Sequence, residues 1–374
     1  MLTTYGINLT DMNDDLDNIK QVLQGDNDLL PSSVCLQLMD YRLAIRSNSE
    51  RFLQCMQSYF SHLLVPSSDD MRAEVIAIER DIVNTGVEFV DWKREPGKTG
   101  RKDAIYDFPA GRLVRKVRTG MTFLQSEKDL VVAGPCIEYD NQVINFINSQ
   151  FLNWLQNDGY LLCHAAALSR NGHGMAIAGL SGGGKSTLML NLMDDEATAF
   201  VSNDRLLVRR QGETTHAVGI PKLPRINPGT IVHNPRLFPL IDENTREQLL
   251  QLDQQELWKL EQKYDANINE FYGPGRIQHE TELHTFLVLN WQHDTDEERQ
   301  VNRVELSQRP DLLSAIMKPS GPFYMDAAGV FNSDDAFPEA ANYLTGLVNV
   351  AIYEASGKID FDRLGSVCLN ELLA

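Results

Sequence analysis

The 374-residue sequence predicts an α/β protein of two domains, the second built on a mixed sheet, from three observations. An apolar run, Met175-Ala176-Ile177-Ala178, feeds directly into the glycine-rich stretch Gly179-Leu180-Ser181-Gly182-Gly183-Gly184, and a helical run follows from Lys185. A second apolar strand, 160–169, precedes it across the tight-turn pair Asn171-Gly172, so the loop is entered from an antiparallel hairpin. A chain of this length is more than one core usually serves, and its pattern changes near Asp140.

Taken in order, residues 1–31 are polar and acidic and read as a lead-in. Residues 36–46 read as a strand, and 49–64 as a helix opened by an Asn48/Ser49 cap. The run Pro66-Ser67-Ser68-Asp69-Asp70 breaks the chain before a strand over 73–82. Residues 93–103 carry Pro, Gly and basic side chains and read as a loop, and 113–132 as a strand hairpin. From Asp140, residues Val143, Ile144, Ile147, Phe151 and Leu155 recur at helical spacing. The boundary between an N-terminal α+β domain (1–145) and the second domain (146–374) is placed there. Beyond the loop helix, 198–202 is a strand ending in Asn203-Asp204, followed by a hairpin about Gln211-Gly212. Residues 233–270 read as a polar helical pair packed on the core, the alternative being a lid or docking platform, 283–291 as a buried strand, 337–353 as a closing helix and 360–373 as partly helical.

Composition narrows the function classes. The net charge is −18, with 34 basic against 52 acidic residues, which argues against nucleic acid as a partner because phosphate backbones need clustered Lys and Arg. No apolar run reaches the length of a membrane span, and the N-terminus lacks a signal-peptide pattern. Cys35, Cys55, Cys136, Cys163 and Cys368 show no C-x-x-C spacing, which suits a reducing cytoplasm rather than a zinc site or disulfide framework. The expectation is a cytoplasmic protein with no membrane partner.

The stretch 179–187 satisfies G-x-x-x-x-G-K-[ST]. A triphosphate must be met by donors, and glycines let successive backbone N–H groups turn inward to cradle it. Gly179, Ser181, Gly182, Gly183, Gly184, Lys185, Ser186 and Thr187 are therefore the candidate nucleotide ligands. Lys185 supplies a point charge to the terminal phosphates, Ser186 a hydroxyl for Mg²⁺, and the helix start its positive end. Phosphoryl transfer from ATP also needs a carboxylate, and Asp204 ends a strand 19 residues after Lys185. A strand parallel to the loop strand would deliver it beside the γ-phosphate; the alternative is a turn aspartate with Asn203. His164 lies among small residues beside the loop strand, as a functional side chain or as a core histidine. Arg225 and Arg276 sit in Gly/Pro turns, as phosphate ligands or as surface arginines.

Together, His164, the hairpin, the loop, Val201-Ser202-Asn203-Asp204-Arg205, Pro224-Arg225 and Phe271-Tyr272-Gly273-Pro274-Gly275 follow an order that resembles the bacterial HPr kinase/phosphorylase catalytic domain. The resemblance covers roughly 150–295. It implies a fold akin to phosphoenolpyruvate carboxykinase and an ATP- and Mg²⁺-dependent Ser/Thr kinase, possible as a homo-oligomer, acting on an unidentified protein or peptide. By that resemblance Lys185 and Ser186 hold phosphates and metal, Asp204 is the base, and His164 lies beside it; Asp204 is also taken as a metal ligand and Arg225, from its turn, as a phosphate ligand. The sequence departs from the family where Asn203 and Pro224 stand in place of carboxylates. One metal-coordinating carboxylate of that family is therefore missing here. A nucleotide-binding regulatory module and an ATPase without acceptor are the alternatives; a guanine-specificity Asn-Lys-x-Asp is not in the chain.

Overall fold

Apolar runs, buried on both faces in strands such as 130–134 and 165–169, build two mixed sheets, one in each of two units of the chain. The computed structural model describes residues 16–94, 99–179, 183–253, 256–257, 260, 262–291, 295–358 and 360–374.

The first unit is Met1–Asn157 with Ser320–Ala336. Its sheet comprises β1 (Ser33–Leu38), β2 (Tyr41–Ser47), β3 (Ala73–Glu79), β4 (Val90–Asp91), β5 (Asp103–Phe108), β6 (Gly111–Lys116), β7 (Thr122–Gln125) and β8 (Leu130–Gly134). Their order is β1-β2-β3-β8-β7-β6-β5-β4, parallel only across β2–β3 and β3–β8. The run 36–46, read as one strand, is a hairpin: Met39 takes φ 52° and reverses the chain without glycine. Helix α1 (Leu16–Gln24) packs on β8 and α2 (Glu50–Tyr59) on β1 and β2, and the Ser49 hydroxyl caps α2 by accepting from the Phe52 N–H. Helix α3 (Asp140–Asn157) buries Val143, Ile147, Phe151 and Leu155, so this unit runs to Asn157 rather than 145. Residues 320–336 also belong here. The Phe323 ring packs on Phe123 and Phe146 at 5.4 and 5.0 Å, and buried Arg112 donates to the carbonyls of Pro322 and Asn332.

The second unit is Asp158–Pro319 with Phe337–Ala374. Strands β9 (Leu161–Cys163), β10 (Ala165–Arg170) and β11 (His173–Gly179) are followed by helix α4 (Lys185–Leu192) and β12 (Thr198–Ser202). The β10–β11 hairpin turns on Asn171 and Gly172, at φ 52° and 85°, the pair of positive angles that matches strand twist. Next come β13 (Leu206–Gln211), β14 (Thr214–Gly219), a small pair β15 (Arg225–Ile226) and β16 (Tyr264–Asp265), β17 (Glu280–Leu289), β18 (Gln300–Arg303) and β19 (Ala351–Ser356). The main sheet runs β12-β10-β11-β17-β14-β13-β9, with β19 parallel to the later half of β17 and β18 on its far side. The closing helix expected over 337–353 is short, Ala340–Gly346, and 351–356 is the strand β19. Its apolar run fits either state, and pairing with β17 decides it.

Odd and even residues of β10 enter different cores. Ala166 and Leu168 join α4 on one face, and Ala165 and Ala167 meet Val201 and Phe286 on the other. Helix α5 (Pro228–Val232) precedes the 233–270 region, which forms the short helices α6 (Glu243–Leu250) and α7 (Ile268–Phe271); Val232 of α5, Leu249 of α6 and Leu257 make a small cluster. Leu250 and Leu252 of that region, in contrast, are exposed. No helix among the described residues is long and apolar enough to cross a membrane.

Candidate functional site

Two strand breaks at the same level of the sheet create the site. The segment 160–169, read as one strand, is interrupted at His164 because its halves take different partners: β9 pairs with β13, while β10 pairs with β11 and β12. The neighbouring chain makes the same change. β12 ends at Ser202 opposite Ala167, and β13 starts at Leu206 opposite Cys163. Asn203, Asp204 and Arg205 bridge that step just as His164 does, and the Ser202 hydroxyl tightens it by donating to the Arg205 carbonyl at 2.7 Å. His164 Nε2 and Asp204 Oδ1 consequently meet at 3.2 Å. Because β12 and β11 are both antiparallel to β10, β12 runs in the direction of the loop strand, one strand removed.

The glycine loop leaves the end of β11 at Gly179. Ser181 and Gly182 lie outside the described residues. Gly184 precedes α4 with φ +82°, a left-handed conformation that costs a residue with a Cβ about 1–2 kcal/mol. A Cβ at this position would also stand 2.5 Å from the Phe361 ring and 3.4 Å from Trp291. Those two rings pack edge to face at 5.0 Å, and the Trp291 indole N–H donates to the Gly183 carbonyl at 2.9 Å. An aromatic pair thus clasps the exit of the loop. Neither ring was singled out in the sequence, where Trp291 reads simply as the end of a buried strand.

Lys185 donates to the Gly179 carbonyl at 3.0 Å, which folds its side chain back to the end of β11. Burial pushes its ammonium down from 10.5 to about 8; Asp204 opposes that shift, and Lys318 and Lys263 add repulsion. For Asp204, burial favours the neutral acid. The His164 hydrogen bond and the charges of Lys318, His164 and Arg205 outweigh it and hold the carboxyl well below 3.8. The carboxylate nonetheless keeps 44% of its side-chain surface open, so an incoming group can reach it. Ser186 sits half-buried in the first turn of α4. The Thr187 hydroxyl is turned to Thr230 at 2.9 Å, tying α4 to α5.

The arginines divide differently from their shared sequence setting. Arg225 pairs with Asp265 at 3.0 Å across the β15–β16 ladder. Arg276 is committed to main-chain carbonyls, those of Met193, Asp195, Thr198 and Tyr272, where it ties the end of α4 to β12. Lys222 and Lys318 carried no motif signal, yet both act on Asp204.

Burial also holds the half-buried Lys222 ammonium at about 8, with repulsion from Arg205 and Arg225 offsetting attraction to Asp204 and Asp265. A lysine whose folded value lies below its unfolded 10.5 sheds its proton earlier in the native state, so stability rises with pH between about 8 and 10.5. Lys222→Met is therefore expected to gain stability over the parent at pH 7, and to lose that advantage by pH 10.5. The change should be on the order of 1 kcal/mol after solvent screening. Urea unfolding at both pH values checks it; a constant difference would show that the ammonium carries no electrostatic strain.

No family model matches the chain, and no curated protein matches it. Among solved structures, the chain is similar to the HPr(Ser) kinase/phosphatase from Coxiella burnetii. That similarity has 11% identity and a TM-score of 0.28, over 57% of this chain and 96% of that one. A likeness so slight transfers neither fold nor activity.

Proposed function

We propose that this chain is an ATP-dependent phosphotransferase that moves the γ-phosphate onto a hydroxyl, a Ser or Thr of a protein or peptide. The observation that carries the reading is the Asp204–His164 pair standing within the electrostatic reach of Lys185, the lysine of the glycine loop. An anion-cradling loop alone binds nucleotide; a reachable carboxylate beside it supplies what transfer to a hydroxyl needs.

In this reading, backbone N–H groups of the loop and the start of α4 receive the phosphates, and Lys185 turns from the Gly179 carbonyl to the terminal phosphates. His164 anchors one oxygen of Asp204, which leaves the carboxylate oriented to accept from the acceptor hydroxyl. A carboxyl held so low is a weak base at rest. The bound triphosphate adds negative charge that raises it, and the hydroxyl becomes strongly acidic as its oxygen bonds to phosphorus. The hydroxyl oxygen forms a bond to Pγ, the bond from Pγ to the β–γ bridging oxygen breaks, ADP leaves, and the proton passes to Asp204.

The donor set fits Mg²⁺. The Ser186 hydroxyl and ionised Asp204 are hard oxygens, the kind that hold this ion together with substrate phosphates. Bound there, it would neutralise charge on the phosphates.

The test is incubation with Mg²⁺ and γ-labelled ATP together with candidate peptides and lysate. Label should pass to a Ser or Thr, and Lys185→Met should lower that transfer by at least about 10²-fold. Tight ATP binding with neither hydrolysis nor transfer would replace the reading with a regulatory nucleotide-binding module. Steady hydrolysis without any labelled acceptor would make the chain an ATPase.

A further inference from the structure

We infer that Trp291 is a positioning residue of the proposed nucleotide site, holding the peptide between Gly183 and Gly184 in the orientation that offers its N–H to phosphate. The inference rests on the reading above and deepens it.

A glycine stands on each side of that peptide, so side-chain sterics do not decide which way it faces, and a flip would exchange N–H for carbonyl on the phosphate side. In a planar trans peptide the C=O and the N–H point in opposite directions. The Trp291 indole N–H donates to the Gly183 carbonyl at 2.9 Å, which turns the Gly184 N–H away from the indole. The indole side is the core side, because Trp291 is buried in the cluster that holds Leu188, Leu192 and Leu364. The Gly184 N–H therefore faces out of that core. Among the described residues no main-chain carbonyl receives it, and the first helical bond of α4 runs from the Leu188 N–H to the Gly184 carbonyl. The N–H groups of Lys185, Ser186 and Thr187 precede that bond and are the orphan donors of a helix start. Helical geometry orients those three. The Gly184 donor stands ahead of the helix, at φ +82°, and needs a constraint from outside it.

Trp291 reaches the loop because parallel strands end together. Gly179 pairs with Leu289 at the end of the β11–β17 ladder, and the Asn290 N–H extends the pairing by donating to the Ala355 carbonyl at 2.8 Å. The indole thus leaves the sheet beside the point where the loop leaves it. Phe361 braces the ring edge to face at 5.0 Å. It opens the helix Phe361–Val367, whose Asp360 cap accepts from the Arg363 N–H at 3.0 Å and whose Leu364 lies in the same core as α4. The two rings divide the work: Phe361 supplies packing, and Trp291 supplies the donor. A phosphate oxygen bound to the Gly184 N–H would polarise the peptide and strengthen the indole bond on its other end.

The experiment is calorimetric titration of the full chain with tripolyphosphate and ATP in EDTA, on the parent, Trp291→Phe, Phe361→Leu and Lys185→Met. Proton NMR of the indole N–H region follows the parent through the same titration. The chain has four tryptophans, and Trp291→Phe assigns the resonance by its loss. Trp291→Phe keeps a ring against Phe361 and removes the donor, so tripolyphosphate affinity should fall by about 10-fold. Phe361→Leu loses packing and keeps the donor, and should stay within about threefold of the parent. The Trp291 indole proton should move downfield as tripolyphosphate saturates the parent. A proton that stays in place through saturation would overturn the inference. So would a loss in Phe361→Leu equal to that in Trp291→Phe, since packing would then be the cause. If Trp291→Phe binds tripolyphosphate like the parent while Lys185→Met does not, the inference fails and the proposed function stands. A parent chain that binds neither ATP nor tripolyphosphate would sink both readings.

Discussion

Asp204→Asn is expected to slow phosphoryl transfer by about 10²–10⁴-fold, the range that a positioned proton acceptor supplies. In EDTA, where Asp204 holds no Mg²⁺, ATP affinity should be unchanged or tighter. The loop, Lys185 and the surrounding cations all remain, and the substitution removes the one negative charge that a γ-phosphate would face beside Lys185. The amide still accepts a hydrogen bond from His164 but cannot take the hydroxyl proton. Single-turnover transfer and calorimetric ATP titration on the same preparation separate the two effects. Transfer that survives in Asp204→Asn would remove Asp204 from the chemistry, whatever becomes of binding.

Gly184→Ala should cost the protein about 2–5 kcal/mol and nucleotide affinity about 10²-fold. The left-handed backbone contributes about 1–2 kcal/mol and overpacking against Phe361 and Trp291 another 1–3. Affinity falls because the loop must shift to relieve the clash, and a 10²-fold loss corresponds to about 2.8 kcal/mol of binding energy. Denaturant unfolding and ATP titration read the two quantities. The double variant Gly184→Ala/Phe361→Leu should recover the packing part and leave the dihedral part, a partition that additivity alone does not give. If the single variant unfolds like the parent, the conformation assigned to residue 184 is incorrect.

The parts of the fold visible in the sequence are those written locally. Asn171-Gly172 dictates its hairpin, the glycine loop marks the end of β11 and the start of α4, and the Ser49 cap opens α2. Pairing between distant segments is not written that way. Nothing around His164 signals a strand break, because the cause is the exchange of partners between β13 and β12. The same is true of β19, whose apolar residues suit a helix until β17 lies alongside. In the site, Asp204 and His164 were legible from their flanking strands, yet their 3.2 Å approach depends on two breaks falling level. Lys318 left no trace, since its position comes from tertiary pairing of 316–318 and its neighbours in sequence say only that the backbone is extended.

The excursion of 320–336 into the first unit bears on how this chain can be divided or inherited. A single cut after Asn157 does not yield two self-sufficient parts. The N-terminal fragment would lose Phe323 from its aromatic cluster and leave Arg112 without the Pro322 and Asn332 carbonyls. The C-terminal fragment would carry a length of chain whose partners had been removed. Recombination that exchanges one unit must therefore splice at three places in the sequence, near 157, 319 and 337. The middle splice falls one residue after Lys318, so a graft of the first unit is made at the edge of the candidate site.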